Sequence, residues 1–156
     1  MQLPVVVGGV LHMLVVTENW LPALTMPSHR NWFGANKTVR GFVMMPLLSA
    51  LGGACVSFNA EGLWLGALAG FAYVLAELPN SFLKRRLGVA PGQLPQHCRR
   101  LFLLLDQLDS AVGVALLYWL LGYGWQVALL FLLSFPLTAL VVKQILFRLR
   151  LKKTAC

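Results

Sequence analysis

The chain has 156 residues, of which 58% are apolar and only 12% charged, with a formal net charge of +8. Soluble domains carry about a quarter charged residues, so this composition excludes an ordinary water-soluble domain, and the length allows one domain. The positive charge is expected to serve membrane topology, through Lys and Arg in cytoplasmic loops, and nucleic acid is not expected as a partner.

Five spans are expected in chain order. The first covers about residues 3–24 and is interrupted by Thr17, Glu18 and Asn19. No basic segment precedes it, so it is not expected to be a cleaved signal peptide. The others cover about 41–58, 62–78, 101–121 and 125–142. The uncharged runs 41–58, 62–76 and 111–142 are too long for core strands and suit bilayer-crossing helices of about 20 residues.

The basic residues support this count. Arg30, Lys37 and Arg40 fall between the first two spans, and Lys84, Arg85, Arg86, Arg99 and Arg100 between the third and fourth. Lys143, Arg148, Arg150, Lys152 and Lys153 follow the fifth, and the other two connections carry no Lys or Arg. With five spans every basic residue lies on one side, which sets the N-terminus outside and the C-terminus in the cytoplasm. The expected fold is an all-α integral membrane protein of the plasma membrane, a single domain over 1–156. Its cytoplasmic loops cover about 25–40 and 79–100, its cytoplasmic tail covers 143–156, and its polar site faces the cytoplasm.

Gly62, Gly66 and Gly70 form a small-residue stripe on the third span, where another helix can approach closely. Packing within the chain is the expectation, with a homodimer interface as the alternative. Trp20, Trp64, Trp119 and Trp125 lie near span ends, as interfacial anchors do. Cys55, Cys98 and Cys156 are far apart and imply neither disulfides nor a metal site.

Three polar features crowd the cytoplasmic side. In "DQLDS" (106–110), Asp106 and Asp109 share one helix face. Ionised carboxylates inside a span are costly and face polar cavities. A divalent cation would offset that cost, and Mg²⁺ typically takes one or two carboxylates plus substrate phosphates. In "ELPNSFLKRR" (77–86), Glu77 and Ser81 are four residues apart, with Pro79 expected to disturb the turn between them. Glu77 is a third carboxylate at the same level, and Lys84, Arg85 and Arg86 offer positive charge either for phosphates or for plain membrane anchoring. In "FGANKTVRG" (33–41), Gly34 gives a tight turn, Thr38 is an N-cap candidate, and Lys37 and Arg40 are expected together on one helical turn. A phosphate-binding P-loop is excluded, since no Gly stands immediately before Lys37 and no strand precedes the segment. His29 and His97 are expected as solvated loop residues and His12 as a packed polar residue. Carboxylates for a metal and cations for phosphates on one membrane face suit phosphoryl or nucleotidyl transfer onto a half-lipid substrate.

The ordered set "FGANKTVRG", "GALAGFAYVLAELPNSFLKRRLG" and "DQLDS" resembles the CDP-archaeol synthase family, itself related to bacterial phosphatidate cytidylyltransferases. The resemblance covers about residues 27–113. It implies that CTP and a lipid phosphate, archaeol-type or phosphatidate-like, give a CDP-lipid and pyrophosphate with Mg²⁺. It assigns Asp106, Asp109 and Glu77 to the metal, and Ser81 and Lys84 to catalysis at the nucleotide phosphates. Lys37, Thr38 and Arg40, together with Arg85 and Arg86, would bind substrate phosphate or the lipid headgroup. The chain departs from the family in having Ala76-Glu77 for Gly-Asp, no Asp in "MPSHRNWFG", and Val39 where an aromatic is usual. A non-catalytic lipid-binding or scaffold homologue is the alternative expectation. Transport is disfavoured, because no paired discontinuous spans recur in two halves.

Overall fold

The structure, a computed structural model, describes residues 1–91, 93 and 99–148. His97, Cys98 and the tail beyond residue 148 lie outside the described residues. Six α-helices follow one another among the described residues: α1 (Leu3–Thr17), α2 (Arg30–Phe33), α3 (Val39–Ser57), α4 (Ala60–Arg86), α5 (Arg99–Leu120) and α6 (Trp125–Arg148). Among the described residues there is no strand, only an isolated bridge between Pro27 and Thr38. The long helix α4 is the hub. It packs on α1, α2, α3 and α5, while α6 joins through α5.

Local chemistry sets most helix ends. The Thr38 hydroxyl accepts from Gly41 N (3.4 Å) and caps α3, as expected from sequence. The Asn59 side chain accepts from Gly62 N (2.8 Å) and caps α4. Phe58, with φ +52°, ends α3 in a left-handed turn. At the first expected span the helix stops at Thr17, short of residue 24. Asn19 and Leu21 take left-handed φ values of +53° and +54°, which a right-handed helix cannot continue, and a single 3₁₀ turn (Pro22–Leu24) follows.

Helix α4 differs from expectation in the other direction. The third span is expected to end near residue 78 with a loop from 79, yet the helix runs through Pro79 to Arg86. Proline removes one backbone donor and crowds the preceding turn, but α2 and α5 both pack on α4 and hold the turn closed. Lys84, Arg85 and Arg86 occupy its last turn, where cations favour the negative end of the helix dipole.

Helices α3 and α4 meet almost backbone to backbone. A Cβ on Gly70 would lie 2.8 Å from Met45 O and Pro46 Cα, and one on Gly62 would lie 2.6 Å from Gly53 O. At Gly66 it would lie 2.9 Å from the Ser49 carbonyl carbon. The glycine stripe therefore serves packing within the chain. On the other side of α4, Gly113 of α5 gives a similar approach, with a Cβ 2.8 Å from Ala72 O. Between α4, α5 and α6 the core is aromatic: Phe131 and Phe135 stack at 4.9 Å, and Tyr118 and Tyr73 meet them edge-on.

Helices α3, α4 and α6 are long and apolar enough to cross a membrane, whereas α1 and the apolar part of α5 (Leu108–Leu120) are shorter. The outward surface is apolar to match: Leu130, Leu133 and Leu137 of α6 are each more than 60% exposed.

Overpacking at the α3–α4 contact is expected to be costly, because the neighbouring atoms are backbone and cannot rotate away. Gly66→Val should lower the unfolding midpoint in detergent, with a cost of about 1–3 kcal/mol or more. Gly9→Ala, whose Cβ would meet only Met45 Cε at 3.9 Å, should leave it unchanged.

Candidate functional site

The polar residues gather along one stripe of α4. Glu77, Asn80, Ser81 and Lys84 recur at helical spacing, so they share a face about 10 Å long at 1.5 Å per residue. Because α4 continues through Pro79, these four groups sit on one helix rather than on a helix and a loop.

Toward α5 the stripe meets the two acids singled out from sequence. Asn80 Nδ2 donates to Asp106 Oδ1 (2.5 Å) and to Asp109 Oδ2 (3.0 Å). Lys84, only 9% exposed, donates through Nζ to both oxygens of Asp106 at 2.5 Å. Asp109 Oδ1 also accepts from Ser110 N (2.6 Å). The two carboxylates thus converge on one amide group, as their shared helix face requires. Ser81 lies half-buried on the same stripe.

One turn earlier the stripe meets the loop between α2 and α3. That loop is closed at its base, where Ser28 N donates to Lys37 O (2.8 Å) and Val39 N to Met26 O (2.9 Å). At its tip, Gly34 takes φ +90°, a conformation that favours glycine. The closed loop directs Lys37 at Glu77, and the Lys37 ammonium donates to the Glu77 carboxylate. Lys37 and Arg40 do not share a helical turn: Lys37 precedes the cap and Arg40 lies in the first turn of α3. Arg40 is 7% exposed, and its Nη1 donates to Trp20 O (3.0 Å) and Asn19 Oδ1 (3.3 Å).

A cavity of about 430 Å³ opens between α1, the start of α3 and α4, with Lys37, Thr38, Arg40 and Glu77 in its wall. His12 also lines it, so this residue belongs to the candidate site as well as to the packing of α1. Arg40 Nε and His12 Nε2 are buried without a hydrogen-bond partner. Farther along α4, Arg85 sits against Gly34, with its Nε and Nη1 buried and unpartnered. Arg86 lies over the Phe82 ring at 5.1 Å. Both arginines line a separate recess with Trp32 and Phe82.

Sequence reasoning missed Asn80. It is uncharged and stands next to a proline, but its position one turn from Lys84 on the stripe was a usable signal. Its Oδ1 is buried without a partner. Its amide nitrogen faces the two acids, whose carboxylate oxygens are the hard ligands that suit Mg²⁺. Glu77 is held by Lys37, and among the described residues no three His, Cys, Asp or Glu side chains are gathered as a metal group.

These features define a helical protein of membrane-spanning character whose carboxylates and cations meet along one half-buried stripe. The chain is 34% identical over 94 residues to a CDP-archaeol synthase of Staphylothermus marinus, covering 58% of this chain and 49% of that protein. It is 33% identical over 100 residues to a CDP-archaeol synthase of Methanopyrus kandleri, covering 62% and 53% respectively. The chain spans about half the length of the curated relatives it matches. No family model and no solved structure matches it.

Asn80→Leu should leave the two acids facing each other without their shared donor. Such a loss costs about 1–3 kcal/mol, so the unfolding midpoint in detergent should fall by several degrees. An unchanged midpoint would mean that Asn80 does not hold the carboxylates together.

Proposed function

We propose that the chain is a membrane-embedded cytidylyltransferase that joins CTP to a lipid phosphate, giving a CDP-lipid and pyrophosphate. The observation that carries this reading is the stripe on α4, which has a carboxylate and lysine cluster on its α5 side and a cationic cavity one turn away. The similarity to proteins named CDP-archaeol synthase supports the same reading. The proposed topology is five spans within one domain, N-terminus outside, with the site at the cytoplasmic face of the plasma membrane; the one-sided distribution of Lys and Arg supports it.

In this reaction an oxygen of the lipid phosphate attacks the α-phosphorus of CTP. A new P–O bond forms, the bond to the bridging oxygen of the β-phosphate breaks, and pyrophosphate leaves with the electron pair. Little covalent work falls to the protein, so positioning and charge neutralisation carry the rate. Lys37, Thr38 and Arg40 bind the lipid phosphate in the cavity they line. Ser81 and Lys84 bind the nucleotide phosphates, with Arg85 and Arg86 beyond them. Lys84 exchanges Asp106 for a phosphate oxygen when CTP arrives. Asp106 and Asp109 would hold Mg²⁺, with the Asn80 side chain beside them. When bound, the ion offsets the negative charge on the triphosphate and the departing pyrophosphate. Glu77 orients Lys37.

Purified protein should release pyrophosphate from CTP only with Mg²⁺ and a lipid phosphate, and a panel of ether and ester lipid phosphates identifies the substrate. Asp109→Ala should abolish turnover, and Lys84→Met should lower it by about 10²-fold or more, the effect of losing one preorganised donor at developing charge. An active Asp109→Ala enzyme would remove the metal assignment. Anionic-lipid binding without CTP consumption on any lipid phosphate would favour a non-catalytic homologue.

A further inference from the structure

We infer that a groove between α1 and α6 holds a hydrocarbon chain of the lipid phosphate, and that Gly9 is the passage between this groove and the headgroup cavity. The inference rests on the lipid-phosphate reading above and adds where the chain lies and which residue governs its entry.

A second cavity, of about 240 Å³, lies beside the cationic one. Its walls are mostly apolar: Val6, Val10 and Met13 of α1 face Ala139 and Val142 of α6, with Lys143 also in the wall. Gly9 and Tyr73 belong to the walls of both cavities, so the two adjoin there. One cavity offers cations and buried groups without partners, at Arg40 Nε and His12 Nε2. Leaving such groups unsatisfied costs about 1–3 kcal/mol each, which an anionic oxygen would recover. The other offers hydrocarbon. A ligand with an anionic head and an apolar tail suits the pair, whereas a nucleotide suits only the first.

The packing explains why the groove exists. Helix α1 lies on α3 and α4, and α6 lies on α5. The start of α1 is tied to α6 through Gln2, whose amide donates to Ser134 Oγ and accepts from Thr138 Oγ1 (3.0 Å). Beyond that tie, mostly apolar side chains line both sides of the slot.

Two adjacent glycines separate packing from passage. A Cβ on Gly8 would press on Ser49, 2.9 Å from its backbone N, so close helix contact explains that glycine. A Cβ on Gly9 would meet only Met45 Cε at 3.9 Å. Packing does not require a glycine at position 9; the space beside it is open, and it is the junction of the polar and apolar cavities. A long side chain there would fill the junction without displacing backbone.

The test uses the full chain in detergent micelles and a phosphatidate carrying a diazirine midway along one acyl chain. After irradiation, labelled peptides are mapped by mass spectrometry. Label is expected at residues 10–13 and 139–142, competed by unlabelled phosphatidate. In Gly9→Leu it should fall by about tenfold or more, the scale of a few misfitted methylenes in an apolar slot. Gly9→Ala should keep the label, and CTP binding without lipid should be alike in all three proteins. Label concentrated on the outward residues Leu130, Leu133 and Leu137 would overturn the groove, as would wild-type labelling in Gly9→Leu. The wild-type map decides the matter even if Gly9→Leu fails to fold. Groove labelling with no CDP-lipid formed would sink the transfer reading and leave the groove; turnover with label elsewhere would sink the groove alone.

Discussion

The structure depends on a buried charge constraint. Lys84 is almost fully enclosed in a largely apolar protein and survives there because both oxygens of Asp106 accept from it. Removing ions from water costs several kcal/mol each, repaid only by close pairing and further hydrogen bonds. Asn80 supplies such bonds, joining Asp106 to Asp109, and Lys37 does the same for Glu77 one turn away. Such pairs are weak sources of stability compared with apolar packing. Their concentration along one stripe of α4 is therefore better explained by chemistry than by folding.

That stripe requires helices to come very close to α4 on both sides. The glycines facing α3 and Gly113 facing α4 bring backbones together where a single methyl group would collide. Close approach lets side chains as short as Asp and Asn reach one another across the α4–α5 seam. On the α2–α3 side the link is a loop closed by backbone hydrogen bonds, which carries Lys37 to Glu77. The rigid helix and the closed loop together give a site with two neighbouring parts, a carboxylate and lysine cluster and a cationic cavity.

Much of this was legible in the sequence. The uncharged runs marked α3, α4 and α6, Thr38 announced its cap, Gly34 its turn, and the Asp106–Asp109 spacing its common face. These features are local, set by propensity and periodicity within a few residues. What was not legible depends on contacts distant in sequence. Pro79 looked like a helix end, yet packing from α2 and α5 carries α4 to Arg86, turning an expected loop into the last turns of the site helix. Asn80 carries no charge to draw notice, and its role exists only because α5 approaches it. Lys37 and Arg40 were expected on one helical turn; the cap at Thr38 falls between them and sends one to Glu77 and the other to the turn after α1.

The account's central claim is that the carboxylates facing α4 form, with Lys84, a metal-dependent nucleotide site. Titration of CTP into the purified protein, with and without Mg²⁺, tests it most directly. Binding should tighten markedly with Mg²⁺ in the wild-type protein, and this gain should vanish when Asp106 and Asp109 are both replaced by Asn. CTP binding indifferent to Mg²⁺ and to both carboxylates would contradict the account.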